Sequence, residues 1–580
     1  MVKIDRSRDD KLSEFGKATL KDRYLLEGED YQDMFARVAD TYGDDEEHSQ
    51  RLYDYMSNMW FMPATPILSN GGTDRGLPVS CYLNETGDSL EGIVDLWVEN
   101  VWLASNGGGI GSYWGNIRGI GEKVGKRGTT SGNIPFIKVQ DSLTLAISQG
   151  SLRRGSSAVY LDVSHPEIEE FIEIRRPTGG DPNRKSLNIH HGVTIPDAFM
   201  EAVEKGESWN LVSPKDGSVR ETVDARDIWM RILTARIETG EPYIIFSDAV
   251  NRAIPEHHKA LGLDVKMSNL CTEITLPTTS DRTAICCLSS LNLEKWDEWE
   301  HHQTFIYDVM SMLDNVLSDF IQKAPDQMKR ARYSALRERS VGLGVMGFHS
   351  FLQSKGVPFE SAIAQSWNNK IFKHIKRYAD SANEQLGYER GSCKDVWDAG
   401  GKTYRRFSNC TAIAPTASIS GICGNSSPGI EPYAANAFTQ KTLSGSFSIR
   451  NKHLAQILSQ KSGGDVEWYE EKFGEIARNE GSIQHMDIFT DHEKAVFKTA
   501  QELDQRWIIQ HAADRTPYID QAQSVNIFVP GNISKKRLHF LHYSAWKKGM
   551  KTLYYCRSTS MGSAEKIGND YYDDECLACQ

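Results

Sequence analysis

The chain lacks the features of a membrane or secreted protein. No uninterrupted apolar run approaches the roughly 18 residues of a membrane helix, and the first residues hold no apolar stretch of the signal-peptide type. The formal net charge of −12 argues against nonspecific binding to nucleic acid or acidic membranes, because both depend on summed positive potential. Internal repeats and low-complexity segments are also missing. We therefore expect a cytoplasmic globular protein without a membrane or nucleic-acid partner.

Fingerprints of bound nucleotide cofactors and metals are missing as well. The glycine-rich segment 106–115 does not have the GxGxxG spacing, and segment 121–127 departs from the P-loop pattern in its glycines and in its last residue, Arg127. Three pairs of adjacent histidines show no metal-ligand spacing. The sequence therefore predicts no metal site and no covalently bound cofactor.

The composition and the hydrophobic pattern of the sequence are those of a large α/β protein. Of the 580 residues, 39% are hydrophobic and 25% charged, as in globular proteins. Residues 1–75 carry apolar residues at helical spacing, and residues 76–556 alternate short apolar runs with helical patterns, which indicates a barrel or an open sheet. Residues 557–580 are rich in Gly, Ser and acidic residues and are expected to form a mobile tail. The specific predictions are strands at 158–163, 243–246 and 411–414, helices at 305–322 and 371–386, and a capped helix start at 164–167.

Ten cysteines in a protein of a reducing compartment are better explained as catalytic, metal-binding or incidental residues than as a disulfide framework. The tail ends in a CxxC pair, Cys576 and Cys579, and three other cysteines (Cys81, Cys271 and Cys286) lie deep in the chain. A zinc half-site would use the same CxxC spacing, but the chain has no second CxxC or matching His pair. Buried cysteines are usually small hydrophobes, whereas a mobile dithiol together with interior thiols indicates a reductase that carries electrons from tail to interior.

Several short segments occur along the chain in an order that is informative about its family. They are Ser80-Cys81, Asn269-Leu-Cys-Thr-Glu273, Ile285-Cys-Cys-Leu-Ser-Ser-Leu-Asn-Leu293, Ala414-Pro-Thr-Ala-Ser-Ile-Ser420, Ser427-Pro-Gly-Ile-Glu-Pro432, Thr552-Leu-Tyr-Tyr555 and the terminal CxxC. This order closely resembles the large, catalytic subunit of ribonucleotide reductases, and segments 240–246 and 341–347 extend the resemblance from about Pro63 onward. The resemblance implies an α/β fold, the ten-stranded α/β barrel of the ribonucleotide reductase and glycyl radical type.

The resemblance also implies a chemistry for the interior residues. A thiyl radical on Cys271 would remove the 3′ hydrogen of a ribonucleotide, Glu273 would act as general base on the 3′-hydroxyl, and Asn269 would orient the sugar. These three residues share one face if the segment is extended. Cys81 and Cys286 would supply two electrons and close into a disulfide, with Cys287 as the alternative partner because strand alternation lets only one of the two face the substrate.

Substrate and effector residues follow from the same resemblance. Diphosphate substrates are favoured over triphosphates, and the substrate-binding residues would be Ser80 and the turn formed by Pro415, Thr416, Ala417, Ser418 and Ile419, although a simple helix cap would use the same turn residues. Asp88, Arg118 and Arg184 match residues that bind or relay a nucleoside triphosphate effector, in company with loops 122–130 and 177–185. That site forms between two large subunits in the family, so a homodimer is implied. The N-terminal region is too short for the ATP cone of many relatives, so we expect no dATP shut-off through such a domain.

Members of the family differ in the source of the radical. Tyr554 and Tyr555 resemble the dyad that passes a radical from a separate ferritin-like metal subunit, although a buried aromatic pair is the ordinary alternative. Cobalamin-dependent relatives need no relay, and the compact length and close terminal CxxC also suit an adenosylcobalamin enzyme. Cys576 and Cys579 would reduce the Cys81–Cys286 disulfide and then be reduced by thioredoxin or glutaredoxin. A noncatalytic nucleotide sensor and a general dithiol oxidoreductase are the alternatives from other functional classes.

Overall fold

The computed structural model describes residues 2–126, 128–149, 153–401, 403–442 and 445–559. The helices are α1 (Glu14–Arg23), α2 (Tyr31–Tyr42), α3 (Glu46–Ser57), α4 (Thr65–Asn70), α5 (Leu90–Ser105), α6 (Ile134–Ala146), α7 (Ile168–Ile172), α8 (Asp197–Lys205), α9 (Ala225–Thr239), α10 (Ser247–Ala253), α11 (Glu256–Ala260), α12 (Trp296–Trp299), α13 (Phe305–Lys323), α14 (Lys329–Glu338), α15 (Phe348–Ser354), α16 (Ala362–Arg390), α17 (Lys394–Asp398), α18 (Ala417–Ile422), α19 (Lys452–Ser462), α20 (Val466–Arg478), α21 (Asp491–Val496), α22 (Gln505–Arg515) and α23 (Lys535–Lys547).

The strands are β1 (Phe61–Pro63), β2 (Cys81–Glu85), β3 (Gly109–Tyr113), β4 (Ser148–Gln149), β5 (Arg153–Arg154), β6 (Ser156–Asp162), β7 (His190–Ile195), β8 (Ser208–Val212), β9 (Val219–Asp224), β10 (Tyr243–Phe246), β11 (Ala284–Asn292), β12 (Val341–Met346), β13 (Ala437–Thr442), β14 (Gly445–Arg450), β15 (Ile527–Val529), β16 (Thr552–Leu553) and β17 (Cys556–Ser558).

The N-terminal 75 residues form helices α1 to α4 and one short strand. Helix α2 begins with a capping box, in which the side chains of Asp30 and Asp33 each accept a hydrogen bond from the other residue's backbone N–H. Its apolar face, which includes Met34, Phe35 and Val38, is buried. Strand β1 leaves this helical region and pairs with β11, so the N-terminal region is joined directly to the main sheet.

The main sheet has nine strands in the described part of the chain. Its order is β1-β11-β2-β3-β6-β7-β10-β16, with β12 on the other side of β11. Strands β2, β3, β6, β7 and β10 are parallel neighbours. Nearly all of their residues are buried, as expected when helices cover a parallel sheet.

Backbone hydrogen bonds continue the strand pairing from β12, at one edge of the main sheet, towards β16 at the other edge. The predicted strand 411–414 contributes single parallel bridges, from Thr411 to Leu343 and from Ile413 to Gln523, rather than a regular strand. The chain after Gln523 continues into β15, which pairs with β17, and β17 follows β16 on β10. The sheet therefore curls into an α/β barrel, and the segment around Thr411 takes the place of the tenth predicted strand.

Most of the other specific element predictions agree with the structure, with one exception. Strands at 158–163 and 243–246 correspond to β6 and β10, and the helices at 305–322 and 371–386 lie in α13 and α16. The helix start predicted at 164–167 is wrong, because α7 begins at Ile168 and Glu167 at its N-cap makes no side-chain cap bond. The Glu167 carboxylate instead accepts the backbone N–H of Asn133 at 2.9 and 3.0 Å. No helix within the described ranges is long and apolar enough to cross a membrane.

Candidate active site

The connection between α11 and β11 passes into the barrel and carries Asn269, Cys271 and Glu273, all buried. The segment is not extended, so the condition for a face shared by the three residues is not met. The chain turns at Leu270 and Cys271, and Thr272 has a left-handed φ of 67°, a conformation that non-glycine residues adopt only when their surroundings enforce it. We call residues 268–275 the catalytic loop.

Packing against β3 allows the catalytic loop to enter so deeply. A Cβ on Gly111 of β3 would lie 2.1 Å from the carbonyl oxygen of Ser268, so only glycine permits this approach. Within the loop, the side-chain oxygen of Asn269 accepts the backbone N–H of Ile274 at 3.2 Å. This internal bond closes the turn and brings Asn269 next to Glu273.

Two thiols face this loop from neighbouring strands. Cys81 of β2 and Cys286 of β11 are direct partners in an antiparallel register, where Cα atoms lie about 4.5–5.5 Å apart, within the range that a disulfide bridges. The Cys81 sulfur lies 3.4 Å from Nδ2 of Asn269 and 3.9 Å from Oε1 of Glu273. The two strands thus place a potential dithiol pair beside the catalytic loop.

Cys287, the alternative partner, points to the other face of β11. Side chains alternate along a strand, so Cys286 and Cys287 cannot both face Cys81. Cys287 pairs in register with Val341 of β12, whereas Cys286 pairs with Cys81 of β2. The geometry favours Cys286 over Cys287.

Burial shifts the acidity of both kinds of group in the site. Desolvation raises the pKa of Glu273 to about 7, against the opposing effect of hydrogen bonds from Asn269 and Ser524. Desolvation also raises the pKa of the Cys286 thiol to about 12. The Glu273 carboxyl is therefore far easier to protonate near neutral pH than an exposed glutamate, while Cys286 is a neutral thiol.

The predicted substrate residues lie at the start of α18 and beside Cys81. Thr416 is buried with a left-handed φ of 57°, and its hydroxyl accepts the backbone N–H of Gly429 at 2.6 Å. The backbone N–H groups of Ala417, Ser418 and Ile419 form the first helical turn, where intrahelical acceptors are missing. Pro415 precedes this turn, and the buried Ser80 hydroxyl lies 3.5 Å from the Cys81 sulfur.

Tyr554 and Tyr555 are both buried, with ring centroids 4.2 Å apart. The ring of Tyr243 packs against both, at 4.9 and 5.2 Å. Hydrogen bonds to three successive residues align the dyad with the catalytic loop. Ser524 donates to the carbonyl of Cys271, Val525 accepts the N–H of Tyr554 at 2.9 Å, and the Asn526 side chain accepts the N–H of Tyr555 at 2.9 Å.

The three predicted effector residues lie outside this cluster. Arg118 and Asp88 form a two-point ion pair, with Nε 2.9 Å from Oδ2 and Nη2 2.8 Å from Oδ2. Arg184 binds the carboxylate of Glu170 on α7. Cys576 and Cys579 lie outside the described residues.

The comparisons with known proteins identify the family. Residues 79–405 and 395–556 match the family described as "Ribonucleotide reductase, barrel domain", and residues 10–76 match "Ribonucleotide reductase, all-alpha domain". The chain belongs to the ribonucleotide reductase large-subunit family. The resemblance drawn from the ordered motifs is thereby confirmed, as are the barrel fold and the prediction of an oxidoreductase of deoxyribonucleotide synthesis.

Ribonucleotide reductase relatives align along almost the whole chain. The chain is 40% identical to the ribonucleoside-diphosphate reductase large subunit of Invertebrate iridescent virus 3, over 100% of both chains. It is 42% identical to the putative large subunit of Frog virus 3, covering 95% of this chain and 96% of that one. Among solved structures, the class Id ribonucleotide reductase alpha subunit of Actinobacillus ureae matches with a TM-score of 0.84 at 34% identity, over 95% of this chain and 98% of that one.

Sequence reasoning missed one part of this ribonucleotide reductase site. Segment 521–526 crosses behind the catalytic loop, and Gln521, Ser524 and Asn526 contact Cys286, Cys271 and Tyr555 respectively. The available signal was the run of polar residues, Gln521, Gln523, Ser524 and Asn526, immediately before the apolar strand β15. Polar side chains in a buried stretch need partners, and for Gln521, Ser524 and Asn526 those partners belong to the site, whereas Gln523 donates to Ala512 and Thr516.

Proposed function

We propose that the chain is the catalytic subunit of a class I-like ribonucleotide reductase that reduces ribonucleoside diphosphates. The observation that carries the proposal is the register pairing of Cys81 with Cys286 beside the loop that holds Cys271 and Glu273. The relatives named as ribonucleoside-diphosphate reductase large subunits favour diphosphates over triphosphates.

The proposed reaction balances within this set of residues. A thiyl radical on Cys271 takes the 3′ hydrogen of the ribose, and Glu273 accepts the proton of the 3′-hydroxyl. One thiol of the Cys81–Cys286 pair protonates the 2′-hydroxyl, which leaves as water, and the other gives a hydrogen atom to the 2′ carbon. The pair closes into a disulfide and passes its remaining electron to the 3′ centre, where the 3′-oxygen recovers the proton held by Glu273. Cys271 then returns the hydrogen to the 3′ carbon and is ready for a new cycle. Ser80 and the turn 415–419 would hold the substrate, with the N–H groups of the turn on its phosphates.

The dithiol needs an external supply of electrons, and the radical needs an external source. We assign the supply of electrons to Cys576 and Cys579, which thioredoxin or glutaredoxin would reduce again. We assign the source of the radical to a ferritin-like small subunit, which would act through Tyr555 and Tyr554. The alignment of Cys271, Tyr554 and Tyr555 along residues 524–526 supports this relay.

Regulation would involve a second copy of the chain. Helix α5, which follows Asp88, exposes Leu90, Val94, Val98 and Trp102 by 65%, 42%, 50% and 37%. These residues are spaced by four and form one apolar stripe, of the kind that partner subunits cover. A homodimer built on this face would place the Asp88–Arg118 pair near the subunit boundary, where a nucleoside triphosphate effector would bind.

The deciding experiment is reduction of the four ribonucleoside diphosphates by the purified chain, with effectors and dithiothreitol. We expect deoxynucleotides when a ferritin-like metal subunit is added and none with the chain alone. Activity with adenosylcobalamin and no protein partner would contradict the class I assignment. Failure of every radical source to give product, with nucleotide binding intact, would favour a noncatalytic nucleotide sensor, and dithiol turnover without any radical source would favour a general oxidoreductase.

A matched pair of variants tests the proposed redox partner. We expect Cys286→Ser to stop deoxynucleotide formation and to prevent a Cys81 disulfide, because serine cannot form the S–S bond. Cys287→Ser, one residue away on the opposite face of β11, should retain turnover and the disulfide. Peptide mapping after one turnover measures which cysteines are linked, and a Cys81–Cys287 link in the wild-type chain would reverse the assignment.

The elevated pKa of Glu273 predicts that the rate of ribonucleotide reduction depends on pH, with a descending limb on the acid side. Only the carboxylate form can accept a proton, and desolvation raises the pKa of this group to about 7, so the rate should fall as pH drops through about 7. Glu273→Gln should remove this limb and lower kcat by about 10²–10⁴-fold, the usual contribution of a general base. A pH profile of kcat/KM checks both, and an unchanged limb in Glu273→Gln would assign the titration to another group.

A further inference from the structure

The side-chain amide of Gln521 bridges the catalytic loop and the redox-pair cysteine of β11. Its Oε1 accepts the backbone N–H of Thr275 at 3.2 Å, and its Nε2 lies 3.4 Å from the Cys286 sulfur and 3.3 Å from the carbonyl oxygen of Val341. A backbone N–H needs an oxygen opposite it, and a carbonyl needs a donor, so these two contacts fix which end of the amide is which. The amide nitrogen therefore faces three acceptors, which are the Val341 carbonyl, the Cys286 sulfur and the Ser340 hydroxyl at 3.4 Å, and the sulfur is within reach of its two N–H groups.

The backbone of Gln521 is held as firmly as its side chain. Its N–H donates to the carbonyl of Thr411 at 3.1 Å, and its carbonyl accepts from the ammonium group of Lys551 at 2.6 Å. The next residue, Ala522, donates its N–H to the carbonyl of Glu273 at 2.9 Å. Gln521 is fully buried, so rotation of its amide away from Cys286 would break several buried hydrogen bonds.

Among the described residues, few other groups stabilise negative charge on the Cys286 sulfur. The Ser340 hydroxyl lies farther away, at 3.9 Å. The carboxylates that act on this sulfur come from the catalytic loop (Glu273) and the end of α14 (Glu338), and both oppose a thiolate. The ammonium group of Lys551 is turned to backbone carbonyls of residues 519–521. Burial raises the pKa of the Cys286 thiol, while the Gln521 hydrogen bond acts to lower it.

We propose that Gln521 is a catalytic residue that stabilises Cys286 as the leaving thiolate when the Cys81–Cys286 disulfide is reduced. This inference rests on the proposed function, which creates that disulfide in every turnover. In the step, a thiolate of the reductant attacks the Cys81 sulfur and forms a mixed disulfide. The Cys81–Cys286 bond breaks, and Cys286 leaves with the electron pair and then takes up a proton. A second thiolate of the reductant releases Cys81. The rate of such an exchange depends on how well the leaving sulfur carries its charge.

The test measures reopening of the disulfide in the full chain carrying Cys576→Ser and Cys579→Ser. The protein is oxidised by turnover and then reduced with dithiothreitol at several pH values from 6 to 8.5. Samples are quenched with an alkylating reagent, and Cys81 and Cys286 are quantified by peptide mass spectrometry. The variants are Gln521→Met, which removes the donor, and Gln521→Glu, which keeps the shape and the acceptor. Gln523→Glu is the matched control, because Gln523 is buried in the same segment and donates to Ala512 and Thr516, away from the thiols.

Gln521→Met is expected to slow reopening at every pH, by up to about tenfold, because it removes a hydrogen bond to a sulfur that carries part of its negative charge while the S–S bond breaks. Gln521→Glu should be equally slow at high pH and approach the wild-type rate as pH falls, because a protonated glutamic acid can donate again. Gln523→Glu should follow the wild-type chain throughout. Each rate is taken relative to the wild-type rate at the same pH, which removes the titration of dithiothreitol and of Glu273.

Three results would overturn the inference. The first is a wild-type rate of disulfide reopening in Gln521→Met. The second is a ratio of the Gln521→Glu rate to the wild-type rate that does not change with pH. The third is a slowing in Gln523→Glu equal to that in Gln521→Met. If Gln521→Glu does not fold, as judged by its thermal unfolding, Gln521→Met against Gln523→Glu decides. Absence of a Cys81–Cys286 disulfide in the wild-type chain after turnover would instead contradict the proposed function, so the two failures are distinguishable.

Discussion

Replacing Cys271 by serine is expected to abolish deoxynucleotide formation to the detection limit, with the fold intact. A hydroxyl cannot take the place of the thiol, because an O–H bond is much stronger than an S–H bond and its radical could not be formed by the same source. The site offers no substitute at this position, since Cys81 and Cys286 lie on strands that face the catalytic loop rather than on the loop itself. The measurement is ribonucleotide reduction with the radical-generating subunit present.

Two observations separate lost chemistry from lost structure in Cys271→Ser. The variant should still form the Cys81–Cys286 disulfide when treated with a chemical oxidant, because the strand register does not depend on Cys271. Cys393→Ser, a substitution of another buried cysteine at the N-cap of α17, should retain activity, since serine is a favourable N-cap residue. Turnover by Cys271→Ser would show that the radical forms on a different residue.

The barrel could be predicted from the sequence where periodicity was strong and was missed where pairing is not local. The apolar runs at β6 and β10 and the long amphipathic pattern of α13 identify their own structures. The segment 411–414 forms only single bridges, to Leu343 and Gln523, which lie far away in sequence. No local pattern records such a pairing.

The candidate active site could likewise be predicted from the sequence only in part. The residue types at 269, 271 and 273 were readable because the chemistry requires them, but their arrangement was not. The alternation rule gives a shared face only if the segment is extended, whereas a left-handed Thr272 and the close approach to Gly111 accompany a turn. The contribution of segment 521–526 depends on tertiary packing, and its polar residues acquire meaning only when Cys271 and Cys286 are seen beside them.

Conversion of either relay tyrosine to phenylalanine is expected to be as severe as loss of Cys271. Phenylalanine preserves the packing of the buried rings, whose centroids are 4.2 Å apart, but it has no phenolic proton to lose and is far harder to oxidise. Tyr554→Phe and Tyr555→Phe should therefore bind substrate and unfold at nearly the wild-type temperature while giving no product with the metal subunit. Ribonucleotide reduction, nucleotide binding and thermal unfolding measure these three properties.

Tyr243→Phe is the matched control for the relay, because Tyr243 is equally buried and its ring packs against both members of the dyad. It is not joined to segment 524–526, which aligns Cys271, Tyr554 and Tyr555 through hydrogen bonds to consecutive residues. If the relay follows that alignment, Tyr243→Phe should keep most of its activity. Product formation by Tyr554→Phe with the metal subunit would refute the relay, and product formation by the same variant with adenosylcobalamin alone would mean that the dyad serves only to pack the barrel wall.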